Sequence, residues 1–202
     1  MKTLMVFDFD HTVVDDNSDT WVIRSLPSQT LPDSVKKSYR KGQWTEFMGR
    51  VMKYIGEQEV SPDSIRSVME TIPFTAGMKD LLTFISEHKS TIDCIVISDS
   101  NSLFIDWIIQ ASGFHAAIDQ VYTNPAKFNE LGYMEVQNYH SHDCDQCSVN
   151  LCKKKVLEEG VHLEKLLVTL QDQKDNSSLR AKVIAWSSGT DILEELKASI
   201  KF

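Results

Sequence analysis

The sequence lacks any uninterrupted apolar run of the length a helical membrane span needs, so no bilayer-crossing helix is expected. It lacks a secretory signal: Met1-Lys2-Thr3-Leu4-Met5-Val6-Phe7 run directly into two aspartates with no cleavage site, and a cytoplasmic location is expected. It also lacks a basic excess. With a formal net charge of -8 it has no surface suited to neutralising nucleic-acid phosphates or an anionic membrane, which leaves a small soluble ligand as the default partner. Cysteine is scarce, four residues in all, and without a secretion signal a disulfide framework is not expected. No repeat, linker or low-complexity tract divides the chain. Its 202 residues, 42% hydrophobic, suffice for one substantial core and a small accessory unit.

What is there alternates between strand and helix patterns. Leu4-Met5-Val6-Phe7 is a short apolar run ending at Asp8, as in a buried strand that delivers polar residues to a crevice. Between Pro32 and Ile55, Trp44, Phe47, Met48, Val51, Met52 and Ile55 recur at helical spacing, and Ser61-Pro62-Asp63 opens another helix. This stretch predicts a small helical insert. Met78, Leu81, Leu82 and Ile85 mark a helix of the main body, and Ile92 to Ile97 a strand that stops at the polar cluster Ser98-Asp99-Ser100-Asn101 before a helix carrying Leu103, Trp107 and Ile108. Further strands are expected at Gln120–Thr123, Leu166–Leu170 and Lys182–Trp186. A hairpin turning at Leu131-Gly132 and helices at Asn150–Glu159 and Asp191–Ile200 complete the pattern. Alternating strands and helices imply an α/β fold with a mostly parallel sheet covered on both faces.

The strongest chemical signal is Asp8-Phe9-Asp10-His11-Thr12-Val13 after the first strand. Two carboxylates two positions apart can converge on one ligand, one attacking phosphorus and the other protonating the leaving oxygen and then activating water. The negative charge of a phosphoester beside such carboxylates calls for a hard cation, and Mg²⁺ suits oxygen donors. A solvated Asp-x-Asp in a surface turn is the bland alternative. Ser98, taken alone, is as well explained as a helix or loop cap.

Asp8-x-Asp10-x-Thr12-Val13 resembles the first motif of the haloacid-dehalogenase-like phosphatases. The resemblance implies a Rossmann-like, mostly parallel sheet over a single domain, residues 1–202, with a helical cap insert at 16–73. It implies Asp8 as the nucleophile that forms an aspartyl-phosphate, Asp10 as acid and base, and Mg²⁺ held by the Asp8 carboxylate and the Asp10 backbone carbonyl. Ile95-Val96-Ile97-Ser98 resembles the second motif, with Ser98 on a phosphoryl oxygen. Cys152-Lys153-Lys154-Lys155-Val156-Leu157 resembles the third, its register favouring Lys153 as the phosphate-neutralising lysine and leaving Lys154 as the fallback. A run of three lysines is otherwise a solvated face.

The likeness extends to the orphan-phosphatase branch of that family through the segments at 15–21, 38–50 and 97–101, then through Asn138-Tyr139-His140, Asn150-Leu151-Cys152-Lys153-Lys154 and Trp186-Ser187-Ser188-Gly189. It implies Asp19 and Asp99 as substrate contacts, pyridoxal 5′-phosphate or a similar small phosphoester as substrate, and hydrolysis as the reaction. Both aspartates are equally readable as caps or turn residues.

The family's fourth motif, Gly-Asp-Gly-x-Asn-Asp after a strand, is absent, and the core is expected to be incomplete near the C-terminus. Asp172, with Asp175 and Asn176, resembles a degenerate substitute as a metal ligand, without the glycine that the tight turn needs. A catalytically impaired form that only binds phosphoesters or partners is therefore the alternative. His140-x-His142-x-Cys144-x-x-Cys147, with Cys152, offers candidate zinc ligands, although the two separated ligand pairs of most structural sites are missing.

Overall fold

The structure, a computed structural model, describes residues 3–159 and 186–199. Three parallel strands, β1 (Thr3–Phe7), β2 (Ile92–Asn101) and β3 (Gln120–Asn124), lie in the order β1-β2-β3, with Phe7 beside Val96 and Ile97 beside Tyr122. Strand alternation sends Met5, Phe7, Cys94, Val96 and Val121 into the larger apolar core, and Leu4, Ile95, Ile97 and Tyr122 into a smaller one on the opposite face. Val6, on that second face, stays 41% exposed.

β2 is longer than the sequence pattern suggests. It does not stop at Ile97 but runs on to Asn101, with a register shift before Asn101 pairs with Asn124. Here Ser98, Ser100 and Asn101 are buried and Asp99 half-buried, and the Asn124 side-chain amide donates to the Asp99 carbonyl at 2.7 Å and the Ser100 carbonyl at 2.9 Å.

Between β1 and β2 the chain leaves the sheet and returns at adjacent points. Val14 bridges Phe74, the Asp15 N–H donates to the Pro73 carbonyl at 2.8 Å, and the Thr75 N–H donates to the Val13 carbonyl at 3.1 Å. The elements between these points are all helical: α1 (Ser18–Trp21), a 3-10 turn (Val22–Ser25), α2 (Asp33–Lys36), α3 (Trp44–Glu57) and α4 (Pro62–Met69). α3 buries Phe47, Met48, Val51, Met52 and Ile55, the face its spacing predicts. α4 starts where Ser61 caps the Ser64 N–H at 3.1 Å with Pro62 in its first turn.

α5 (Met78–Glu87) follows the return, and α6 (Ser102–Ser112) follows β2. α6 begins where Asn101 caps the Phe104 N–H and ends at Gly113, whose φ of 78° suits glycine. β4 (Ala126–Phe128) and β5 (Met134–Val136) form the expected hairpin around Gly132. α7 (Lys153–Glu159) starts three residues later than predicted, with Asn150 and Leu151 buried outside the helix ahead of it. The expected strand at 166–170 lies outside the described residues. So does the one at 182–186 except for Trp186, which is not in a strand.

α8 (Gly189–Ser199) docks on α5. The Gly189 N–H donates to the Ala76 carbonyl at 2.7 Å, and a Cβ on Gly189 would stand 2.5 Å from the Gly77 carbonyl carbon. Among the described residues no helix is long and apolar enough to cross a membrane.

Candidate active site

The C-terminal ends of the three parallel strands form the polar edge of the sheet, the position where open α/β sheets bind ligands. Phe9 is fully buried, so strand alternation turns Asp8 and Asp10 together away from the core. The loop that follows is tight. The Thr12, Val13 and Val14 N–H groups all converge on the Phe9 carbonyl, and His11 takes a φ of 55°, uncommon for a residue with a side chain.

Asp8 Oδ1 accepts the Phe9 N–H at 2.8 Å, and Oδ2 pairs with Lys153 Nζ at 2.5 Å. Of the three neighbouring lysines it is Lys153 that pairs with Asp8. Val156 is buried with Ile95, Ile97 and Leu151, so this packing sets the rotation of α7. Ser98 is fully buried next door on β2, its Oγ accepting the Ser100 N–H at 3.2 Å.

Asp10 is held by Ser18, whose N–H reaches Oδ1 and whose hydroxyl reaches Oδ2, each at 3.0 Å. The same hydroxyl lies 2.7 Å from Ser100 Oγ. Burial pushes the Asp10 carboxyl up to about 6. The two Ser18 hydrogen bonds oppose that rise, and the charges of Asp99 and Asp8 add to it.

Asp19 and Asp99 line one cavity of about 300 Å³ with Trp44, Met48, Asn124 and Asn150. Trp44 Nε1 donates to Asp19 Oδ2 at 2.8 Å, and Ser148 Oγ donates to Asp99 Oδ2 at 2.9 Å. Burial pushes Asp19 up to about 7, with the indole bond pulling it down and the charges of Asp10 and Asp99 pushing it further up. Asn150 Oδ1 is buried with no hydrogen-bond partner among the described residues, an acceptor left over in the cavity wall.

The structure thus brings Asp8, Asp10, Ser98 and Lys153 to one strand edge and Asp19 and Asp99 to the cavity beside it. Asp172, Asp175 and Asn176 lie outside the described residues. Of the zinc candidates, the thiols of Cys144, Cys147 and Cys152 cluster, while His140 and His142 accept the backbone N–H groups of Cys152 and Cys144. Sequence reasoning missed Ser18, Ser100, Asn124, Ser148 and Asn150. Asn124 alone had a usable signal, a polar residue ending a parallel strand beside Asn101.

The family model described as Putative Phosphatase matches residues 3–168. The chain belongs to this family. Within it, the chain is 42% identical to pyridoxal phosphate phosphatase PHOSPHO2 of Homo sapiens over 240 residues, covering all of both chains. It is 32% identical to the phosphoethanolamine/phosphocholine phosphatase of Homo sapiens over 240 residues, covering 99% of this chain and 90% of that one. By these relationships it is a phosphatase. A phosphoserine phosphohydrolase-like protein from Francisella tularensis shares the fold, with a TM-score of 0.53 at 14% identity, covering 97% of this chain and 100% of that one. The fold is the α/β Rossmann-like fold of haloacid-dehalogenase-like phosphatases. Since PHOSPHO2 of Homo sapiens is matched whole over 240 residues by a chain of 202, that relative holds internal residues without counterpart here.

Proposed function

We propose that the chain hydrolyses a small phosphomonoester through an aspartyl-phosphate on Asp8. The observation that carries this reading is the Asp8–Lys153 pair at the end of β1 with Ser98 buried beside it. Asp8 Oδ2 attacks phosphorus. Asp10 gives its proton to the departing oxygen, so the alcohol leaves neutral, and then takes a proton from the water that cleaves the acyl phosphate. A carboxyl raised to about 6 suits a group that must hold and release a proton near neutrality. Lys153 and the Ser98 hydroxyl stabilise charge on the phosphoryl oxygens.

Mg²⁺ is part of the proposal. Asp8, Asp10 and Asp99 repel one another closely enough to raise Asp10, an oxygen-rich surplus of negative charge that a hard cation relieves. The Asp8 carboxylate and the Asp10 backbone carbonyl would hold it, with Asp172 as the candidate third ligand. Bound there, it would offset charge on the transferring group. Helices of 16–73 would serve as a cap over the cavity.

For the substrate, the cavity offers acceptors: Asp19, Asp99 and the unpartnered Asn150 Oδ1. These suit a phosphoester whose organic part carries hydroxyl or cationic N–H donors. Pyridoxal 5′-phosphate meets that description, and the human relative's name favours it.

The internal shortfall against that relative favours a second reading, an impaired form that binds phosphoesters without turnover. Mg²⁺-dependent phosphate release from pyridoxal 5′-phosphate, with Asp8→Asn alongside, separates the two. Release by the native chain alone supports catalysis; equal inertness of both chains refutes it for this form.

A further inference from the structure

We propose that Cys144, Cys147 and Cys152 bind a zinc ion that fixes the loop of residues 140–152 and the start of α7. The three Sγ atoms lie within 4.8 Å of one another, and all three are free thiols. A tetrahedral zinc with Zn–S bonds of about 2.3 Å spaces its sulfurs about 3.8 Å apart, within reach of small side-chain rotations.

The Lys155 N–H also donates to Cys152 Sγ at 3.5 Å, so the start of α7 is already tied to the cluster. Soft sulfur donors select zinc over the magnesium suited to the carboxylates.

The flanking histidines brace the loop. His140 Nε2 accepts the Cys152 N–H at 2.9 Å, and His142 Nδ1 accepts the Cys144 N–H at 3.2 Å while its Nε2 lies 2.8 Å from the Ser148 carbonyl. The fourth position on the metal falls to water or to one of these rings after a side-chain rotation. Cys152 immediately precedes Lys153, and Ser148 and Asn150 sit between the second and third sulfurs. One ion would therefore hold the lysine that meets Asp8, the cavity-wall residue Asn150, and Ser148, which donates to Asp99. Only this consequence rests on the phosphatase reading; the metal site does not.

The test is elemental analysis of the full chain, expressed with zinc and purified under reducing conditions without chelator. About one zinc per chain is expected in the native protein and in Asp8→Asn, and a loss of most of it in Cys144→Ser/Cys147→Ser. Replacement by Co²⁺ should add a sulfur-to-cobalt charge-transfer band in the near ultraviolet. Zinc well below one per chain in the native protein, zinc lost in Asp8→Asn but kept in the cysteine variant, or a disulfide among the three residues by non-reducing mass spectrometry would overturn the site. The native chain answers even if the double variant misfolds, and failure to hydrolyse pyridoxal 5′-phosphate leaves the zinc result unchanged.

Discussion

The Ser18 hydroxyl lies 2.7 Å from the Ser100 hydroxyl, joining the first turn of α1 to the end of β2 across 82 positions of sequence. That hydroxyl also holds Asp10 Oδ2. Ser18→Ala should leave the Ser18 N–H on Oδ1 but free the second oxygen to rotate. A fall in kcat of about tenfold with little change in KM is expected for a proton donor that has lost its orientation. Steady-state kinetics test it, and an unchanged kcat would show that Asp10 does not need this support.

Lys153→Ala should lower kcat/KM by about 10²-fold or more, because the counter-charge to Asp8 and the phosphoryl group goes with it. Lys154→Ala, on an exposed side chain, should stay within about twofold of the native chain. Phosphate-release assays of both variants decide between the lysines. The opposite ranking would reject the register drawn from α7.

Asp19 gives stability an unusual dependence on pH. Its folded value of about 7 lies above the ordinary 3.8, so the folded chain holds this proton more tightly than the unfolded chain. The associated stability is fully present below about pH 4 and is lost as pH rises through about 7. Asp19→Asn should remove this dependence and raise stability at pH 8 by about 1–2 kcal/mol relative to the native chain, with the advantage shrinking toward acid. Denaturant melts at pH 5 and pH 8 measure it; equal differences at both would exclude Asp19 as the source.

Gly189→Ala should cost about 1–3 kcal/mol and lower Tm by roughly 3–10 °C, since the added carbon meets Gly77 and Met78 backbone atoms within 2.6 Å. Calorimetry beside Gly49→Ala, where nothing lies within 4 Å, supplies the comparison. Matching Tm values for the two variants would argue against the close contact.

The helices were legible wherever their apolar faces repeated, as in α3 and α5, and so was the strand end that carries Asp8, because a polar residue after a buried run marks a sheet edge. The run Ser98-Asp99-Ser100-Asn101 read as a loop because polarity usually means exposure. In the fold two of its carbonyls, those of Asp99 and Ser100, are satisfied by one distant amide, that of Asn124, and local pattern carries no trace of such a partner. Ser18 was hidden for the same reason: its value comes from Asp10 and Ser100, neither of which sits at helical or strand spacing from it. Lys153 was chosen from three neighbours by the register of the resembling motif, and the burial of Val156 shows how the helix that carries it is turned.

The glycine contact between α5 and α8 gives the chain a second mooring after α7. On one side of residues 160–185 the chain is tethered through Lys153 to the strand tip, and on the other through Gly189 to the point where the helical excursion rejoins the body. The alignment of Lys153 with Asp8 and the seat of α8 on Gly77 are each fixed by residues outside that interval, so disrupting one contact leaves the atoms of the other in place.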